Sequence, residues 1–284
     1  MKNQYITDPS QNGKPCFKTT RILDIPISNL GYDGVVNRII KWGIAGERRY
    51  VGVCNVHSTT SSAWTPELRE ALVESDLNTA DGMPLVWMQR LLGHSQASRV
   101  YGPTLMLETL KKAAPMNLRI AFYGGHPDRL PILLEKLEAS YPGLNIVEAI
   151  SPPFRALTPE EDEDYTRRLN EARPHIIWVG IGCPKQERWM HEHRPRLRGV
   201  MVGVGAAFDF HAGVVSQSPA ILQKVGLEWA YRLYCEPRRL MKRYLTTNPV
   251  FIARAAGQLV RKFLLGESFI QPTAADSSPA VSTI

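Results

Sequence analysis

The chain has 284 residues, of which 44% are hydrophobic and 21% are charged. This length suits one large domain or two small ones, and the composition is ordinary for a globular protein. Apolar runs stay well short of the roughly 20 residues that a spanning helix needs, and residues 1–15 lack the apolar centre of a signal peptide. We therefore expect neither feature.

The cysteines indicate the redox environment of the protein, and the charges indicate the kind of partner that it binds. Four scattered cysteines without a Cys-x-x-Cys pair predict thiols in a reducing cytoplasm rather than a zinc site. The net charge of +7 is concentrated in residues 232–262, which hold eight basic side chains against the single acid Glu236. This segment indicates an anionic partner, either nucleic acid, acidic lipid or a phosphorylated substrate, unless it is a solvated basic helix.

The first half of the chain mixes strands and helices. A loose tail over 1–19 precedes an edge strand over 20–28, in which Pro26 excludes a central position. The other elements predicted here are a helix over 32–42, a strand over 50–55, a helix over 58–74 that restarts near Pro66, a strand and turn over 77–84, and helices over 84–92 and 104–114.

The second half alternates strand and helix. Its predicted strands cover 119–123, 145–149, 175–179 and 199–204, and its helices cover 128–140, 158–172 and 185–194. This alternation predicts an α/β, Rossmann-like three-layer fold with a mostly parallel sheet and helices on both faces. We expect an α/β domain over 20–225, a helical basic appendage over 226–266 and a disordered tail over 267–284.

Glycine turns after apolar strands predict a ligand site. The strand over 176–179 runs into Gly180 and Gly182, and Pro184 then opens a helix beginning Lys185-Gln186-Glu187. Backbone N–H groups and the positive end of a helix dipole suit a phosphate at such a turn, although packing alone also explains many of them. Similar turns follow the strands over 119–123 and 199–204, at Gly124-Gly125 and at Gly205, so one crevice at the strand ends is expected.

Asp81 is the candidate catalytic residue. It follows an apolar strand and precedes Gly82, which places its carboxylate in that crevice as a general base for a sugar hydroxyl. An ordinary Asp-Gly turn is the alternative. Asp209, beside Phe208, has a similar context.

Other acidic and histidine clusters do not indicate a metal. The acidic run over 160–164 lies in the first turns of a helix, where a solvated cluster is favoured by the dipole. His191 and His193 are two residues apart on a helix and point to different faces. No Asp-x-Asp ends an apolar strand and no Gly-x-Ser-x-Gly occurs, so neither a metal-assisted nucleotide site nor a serine nucleophile is expected.

The C-terminal helix has an amphipathic pattern. Ile252, Ala256, Leu259 and Phe263 recur at helical spacing, with Arg254, Gln258 and Arg261 on another face. This pattern is typical of a helix that lies in a membrane interface. Upstream, Arg232, Arg239 and Arg243 fall seven and four residues apart, so one helix would present them together to a diphosphate.

Several motifs in order resemble the WecG/TagA/CpsF family of bacterial glycosyltransferases, from about Arg21 to Tyr244. They are Ala80-Asp-Gly82, Arg99-Val-x-Gly102, Gly180-x-Gly-x-Pro-Lys-Gln-Glu-x-Trp189, Gly203-Val-Gly-Ala-Ala-Phe-Asp-Phe210, Gly226-Leu-Glu-Trp-x-x-Arg-Leu233 and Glu236-Pro-x-Arg239.

The resemblance implies a metal-independent, inverting enzyme without a cofactor. Such an enzyme moves a sugar from a UDP donor to a polyprenyl-diphosphate-linked acceptor at the cytoplasmic face of the membrane, early in surface polysaccharide synthesis. The family's proposed base falls on Asp81, and its other pocket positions fall on Asn55, Arg99 and Gln186. Its basic C-terminal appendage falls on Arg232, Arg239 and their neighbours. A homo-oligomer is compatible with the sequence.

Departures from the family pattern leave the sugar open. Val53 stands where Thr is usual, Gly102-Pro-Thr104 replaces Gly-x-Asp, and Gln217-Ser-Pro219 replaces Arg-Ala-Pro. N-acetylmannosamine is the common family donor. A glucose or glucuronate donor with a longer lipid-linked acceptor is the alternative.

Two other functional classes agree less well with the sequence. A nucleotide-dependent oxidoreductase should carry a third glycine in Gly-x-Gly-x-x-Gly, which these turns lack. A nucleic-acid binder would use the basic segment, which contains no known fold motif for that purpose.

Overall fold

The computed structural model describes residues 17–224 and 226–271. Its strands are β1 (Thr19–Ile22), β2 (Ile25–Ser28), β3 (Arg49–Cys54), β4 (Leu77–Ala80), β5 (Arg119–Gly124), β6 (Asn145–Ile150), β7 (Ile176–Gly180), β8 (Val200–Gly203) and β9 (Ile270–Gln271). Its helices are α1 (Tyr32–Ile44), α2 (Val56–Ser61), α3 (Pro66–Val73), α4 (Met83–Leu91), α5 (Gly102–Ala113), α6 (Leu130–Ser140), α7 (Pro159–Ala172), α8 (Lys185–His193), α9 (Ala207–Ala212), α10 (Ala220–Lys224), α11 (Glu228–Cys235) and α12 (Pro237–Leu265).

Six parallel strands form the central sheet in the order β4-β3-β8-β7-β5-β6. After their first residues, the inner strands are mainly apolar because helices bury both faces of the sheet. On one face, α1, α5, α6 and α9 close a core around Trp178 and Phe122. On the other, α7 and α8 pack Leu169 and Met190 against the sheet. The predicted α/β class, with helices on both sides of a parallel sheet, is confirmed.

The segment predicted as one edge strand over 20–28 is a hairpin instead. β1 and β2 pair antiparallel, with Arg21 opposite Pro26, and β2 is the outer strand of a separate small sheet ordered β2-β1-β9. The two-residue turn between them holds Leu23 and Asp24 at φ of 48° and 81°. Such turns usually carry Gly, Asn or Asp, and the leucine at the first position makes Leu-Asp a weak turn signal.

Capping residues and prolines determine where several of the helices begin. The restart predicted near Pro66 within the helix over 58–74 is present, since Pro66 opens α3. The first part begins earlier than predicted, at Val56, because Asn55 caps α2. α5 begins at Gly102 rather than at 104, with Pro103 in its first turn. Thr158 caps α7, which was predicted over 158–172, and forms a capping box with Glu161.

The last helix is fastened to the hairpin by its polar side. The buried Gln258 accepts a hydrogen bond from the backbone N–H of Leu23 at 3.2 Å and donates one to the carbonyl of Arg21 at 2.6 Å. Arg254 forms an ion pair with Asp24 at 3.0 Å. The polar face predicted for this helix therefore contacts the protein through Arg254 and Gln258.

Exposed apolar side chains cover the outer side of α12. They include Leu245, Ile252, Val260, Phe263, Leu264 and Leu265. Within the described residues, no helix is both long and apolar enough to cross a membrane. The predicted tails lie mainly outside the described residues, although residues 270–271, assigned to the C-terminal tail, form β9 against β1.

Candidate active site

A polar crevice of about 480 Å³ lies at the carboxyl ends of the parallel strands. This is where an open α/β sheet ordinarily binds its ligand. Most of the site residues predicted from the sequence line it, namely Asn55, Asp81, Gly125, Gly180, Gly182, Gln186, Glu187, Gly205, Phe208, Asp209, Arg232 and Arg243. We call this cavity the polar crevice.

The glycines at the ends of β5 and β7 make room for Phe208. A Cβ on Gly180 would come within 2.7 Å of the Phe208 ring, and one on Gly125 within 3.1 Å. Gly124, at φ +123°, would bring a Cβ within 2.5 Å of the Gly180 backbone. Gly124 therefore serves strand packing and is not among the residues that line the crevice. The glycine turns shape the floor of the site as well as its opening.

Asp81 lies where β4 ends, at the centre of the site. Its backbone N–H donates to the carbonyl of Cys54 at 2.8 Å, and its Oδ1 accepts the N–H of Gly102 at 3.1 Å. Burial raises the pKa of this carboxyl to about 6, against the lowering effect of the nearby Arg99 cation. A carboxylate with such a pKa is ionised at neutral pH and is a stronger base than an exposed aspartate.

Arg99 is held by groups around Asp81. Its Nε donates to the main-chain carbonyl of Asp81, and its Nη2 forms an ion pair with Glu228 at 2.5 Å. The guanidinium also stacks on Tyr101, 4.1 Å from the ring centre. The sequence predicted Arg99 as a pocket residue but gave no indication of these partners. The ion pair joins α11 to the segment between α4 and α5.

Asn55 has a structural role as well as a place in the crevice. Its side-chain oxygen accepts the N–H groups of His57 at 3.0 Å and of Ser58 at 3.2 Å, which caps α2. The NH₂ group of the same side chain is then the part that can donate to a ligand. Asn55 thus orients the short helix that carries His57.

Gln186 and Glu187 form a buried pair at the inner end of the crevice. Gln186 is 4% exposed and Glu187 is 2% exposed, and the Gln186 Nε2 donates to Glu187 Oε1 at 2.9 Å. Burial raises the pKa of Glu187, against the lowering effect of its hydrogen bond with Gln186. The side-chain oxygen of Gln186, Oε1, and the second oxygen of Glu187, Oε2, are buried without a hydrogen-bond partner.

Two other predicted residues have different surroundings from those expected. Asp209 lines the crevice but forms an ion pair with Arg129 at 2.9 Å, so it is not a second free carboxylate beside Asp81. Lys185, the first residue of α8, is exposed and is not among the residues lining either cavity. The first turn of α8 begins with the N–H of Gln186 donating to the carbonyl of Gly182 at 2.9 Å.

The C-terminal helices bring arginines to the crevice. Arg232, on α11, lies over the Phe210 ring at 5.5 Å, and Arg243 of α12 lines the same cavity. Arg239 lies on α12 between them in sequence, and its side chain is outside the described part of the structure. The prediction that one helix presents all three arginines is wrong, because the helical conformation breaks at Glu236 between α11 and α12. Arg232 and Arg243 nevertheless both line the crevice.

A second cavity, of about 520 Å³, adjoins the first and is mostly apolar. It runs between α4, α11 and α12, and its walls include Trp87, Met88, Leu91, Trp229, Phe251, Ile252 and Leu259. We call this cavity the apolar groove. Asn55, Asp81, Glu228, Arg232 and Arg243 line both cavities, so the groove ends at the candidate base.

Sequence reasoning missed Glu228 and His57 as site residues. Glu228 lies in the motif beginning at Gly226, which was a signal for it, although no ligand role was apparent for its carboxylate. His57 lines the apolar groove, and burial, aided by the Arg243 cation, lowers its pKa to about 4. It is therefore a neutral side chain at pH 7.

The acidic run in α7 is occupied by ion pairs. Asp162 contacts Arg196 at 2.6 Å and His193 at 3.0 Å, and Glu161 contacts Arg155 at 2.6 Å. Among the described residues, no three His, Cys, Asp or Glu side chains are grouped so that they could hold a metal ion.

Comparison with known proteins identifies the family. A relative from Bacillus spizizenii, named N-acetylglucosaminyldiphosphoundecaprenol N-acetyl-beta-D-mannosaminyltransferase, is 28% identical over 175 residues. The match covers 61% of this chain and 66% of the relative, just under two thirds of its length. The family model for glycosyl transferases of the WecG/TagA/CpsF family matches residues 20–264. Because that match runs from the first hairpin to the end of α12, the chain belongs to the WecG/TagA/CpsF family of glycosyl transferases.

Proposed function

We propose that this protein transfers a hexose, with inversion, from a UDP-sugar to a polyprenyl-diphosphate-linked saccharide in bacterial surface polysaccharide synthesis. The observation that carries the proposal is the position of Asp81, where the polar crevice and the apolar groove meet. A donor nucleotide is polar and a polyprenyl chain is apolar, so the two cavities match the two substrates in character. The reacting atoms would then lie beside Asp81.

The donor occupies the polar crevice in this proposal. Arg232 and Arg243 line it and supply positive charge for the diphosphate of UDP, and Arg239 lies on the same helix as Arg243. Arginine forks bind phosphate oxygens in pairs and stabilise the charge that develops on the leaving group. These cations do the work that a metal ion does in other transferases, so we propose a metal-independent reaction.

The acceptor occupies the apolar groove, with its first prenyl units between α4 and α12. Its sugar hydroxyl reaches Asp81, whose carboxylate takes the proton as the hydroxyl oxygen bonds to the anomeric carbon of the donor. The bond from that carbon to the UDP oxygen breaks at the same time, and its electron pair remains on UDP. Attack opposite the leaving group inverts the anomeric centre.

The donor sugar is most simply N-acetylmannosamine, because the Bacillus relative is named for transfer of that sugar onto a GlcNAc-diphosphoundecaprenol. The departures at Val53, at Gly102-Pro-Thr104 and at Gln217-Ser-Pro219 keep a glucose or glucuronate donor as a second candidate. We place the enzyme at the inner face of the plasma membrane, where its acceptor lies.

The test is a panel of UDP-sugars with a soluble polyprenyl-diphosphate-GlcNAc analogue, with release of UDP as the measurement. We expect release with UDP-N-acetylmannosamine that depends on the acceptor and persists in EDTA. Loss of activity in EDTA, restored by Mg²⁺ or Mn²⁺, would overturn the metal-independent mechanism. Acceptor-dependent release only with UDP-glucose or UDP-glucuronate and a longer lipid-linked oligosaccharide would favour the second candidate. No acceptor-dependent release with any donor would refute the proposed function.

A further inference from the structure

Glu228 belongs to the C-terminal helices but reaches the centre of the site. Its carboxylate pairs with Arg99 at 2.5 Å, and both side chains are largely buried, at 14% and 15% exposed. It lines the polar crevice and the apolar groove together with Asp81. A buried carboxylate at this point is costly unless it is paired, and Arg99 is its partner.

Arg99 is shared between two acidic residues. Its Nε donates a hydrogen bond to the main-chain carbonyl of Asp81, and its Nη2 forms an ion pair with Glu228. The face of the guanidinium stacks on the Tyr101 ring. A cation free to turn toward the Asp81 carboxylate would stabilise the ionised form and weaken it as a base. The Glu228 contact holds the Nη2 end of the guanidinium and offsets its charge.

We propose that Glu228 is a positioning residue for sugar transfer, which holds Arg99 and offsets its charge, and so keeps Asp81 able to accept a proton. This inference rests on the proposed function, because it assumes that Asp81 is the general base. It also makes the base depend on α11, since Glu228 is the first residue of that helix. The base then reaches full strength only when α11 is packed against the α/β domain.

The charged and titratable groups around Asp81 give the sign of the effect. Burial is the largest influence and raises its pKa, Arg99 lowers it, Glu228 raises it, and Arg232 of α11 lowers it. Tyr32 of α1, Tyr101 and Cys54 also face this carboxyl. Removing the negative charge of Glu228 therefore lowers the pKa of Asp81, and release of Arg99 lowers it further.

The experiment compares Glu228→Gln with the wild type across pH 5 to 9. The glutamine can still accept a hydrogen bond from Arg99 but lacks the charge. We expect the acidic limb of the kcat profile to move to lower pH, and kcat at pH 8 to fall by roughly 3- to 10-fold as the base weakens. Glu228→Asp retains the charge and should keep the limb near its wild-type position. Glu267→Gln, which lines neither cavity, is the matched control.

A measurement that needs no turnover separates this inference from the proposed function. The carboxyl carbon of Asp81, assigned by its loss in Asp81→Asn, is titrated by ¹³C NMR in the wild type and in Glu228→Gln. A lower Asp81 pKa in the variant supports the positioning role. An unchanged Asp81 titration, or a kcat loss without movement of the acidic limb, overturns it and makes Glu228 a structural residue. Absence of transfer by the wild type refutes the proposed function and, with it, any positioning role in transfer.

Discussion

At the scale of single residues, the position of Asp81 could be predicted from the sequence, but the residues that surround its carboxylate could not. Its place after an apolar strand and before Gly82 was enough to predict the carboxylate in the crevice. Its pKa, however, depends on Arg99 and on Glu228, which lies 147 positions downstream of it in the chain. Such partners come from the packing of distant elements, and no local spacing encodes them. The same holds for the Asp209–Arg129 pair.

Asp81→Asn should remove transfer and stabilise the fold at the same time. Loss of a general base costs about 10²–10⁴-fold in rate. The raised pKa means that the folded state binds a proton more tightly than the unfolded chain, so ionisation of Asp81 lowers stability as pH rises through about 6. The neutral asparagine avoids that loss.

We therefore expect the melting temperature of Asp81→Asn to exceed that of the wild type at pH 8 and to match it more closely at pH 5. Thermal unfolding at the two pH values and acceptor-dependent UDP release are the measurements. Asp33→Asn, at an exposed carboxylate, is the control. Wild-type turnover in Asp81→Asn would show that another group is the base.

At the scale of elements, the parallel strands were predictable and the antiparallel hairpin was not. Each central strand is a continuous apolar run that ends at a glycine or a polar residue, which is a local signal. The hairpin turn uses Leu23 and Asp24, and a leucine with positive φ at its first position is not a recognised turn signal. The third strand of the small sheet, β9, pairs with β1, so Gln271 lies opposite Thr19 although the two are nearly a whole chain length apart. A sequence pattern cannot reveal a pairing over that distance.

Gln258 should prove to be a structural residue on α12 because it joins this helix to the hairpin through two backbone groups. Gln258→Ala leaves the N–H of Leu23 and the carbonyl of Arg21 without that partner, which costs about 1–3 kcal/mol. A lower melting temperature is the expected result. Gln217→Ala, at an exposed glutamine, should leave it unchanged. If the two variants had equal melting temperatures, the hydrogen bonds of Gln258 would not stabilise the contact between α12 and the hairpin.

At the scale of the whole molecule, α11 and α12 belong to both the site and the outer surface. Inward, Arg232 and Arg243 line the two cavities, and Phe251 packs in the core formed with the hairpin. Outward, the same helices expose large apolar side chains. Truncation of residues 226–265 would therefore disturb core, site and surface together. Substitutions confined to the outer side are a cleaner test of membrane association.

Phe263 and Leu265 are suited to that test, since they are 65% and 74% exposed and line neither cavity. We propose that they enter the membrane interface, with exposed basic residues such as Arg238 and Lys242 near anionic headgroups. Each replacement by serine removes about 1–2 kcal/mol of the free energy that is gained when the apolar side chain is buried in the membrane. Sedimentation with vesicles containing phosphatidylglycerol should fall by at least roughly tenfold.

The same double variant should retain transfer to a soluble acceptor and lose transfer to an acceptor embedded in vesicles, because its cavities are intact and only its access to the bilayer is reduced. Met116→Ser replaces an exposed apolar residue in the turn after α5 and should sediment like the wild type. Unchanged sedimentation of the double variant would refute the membrane role of this surface. Equal loss on both acceptors would instead mean that the outer side of α12 supports the site itself.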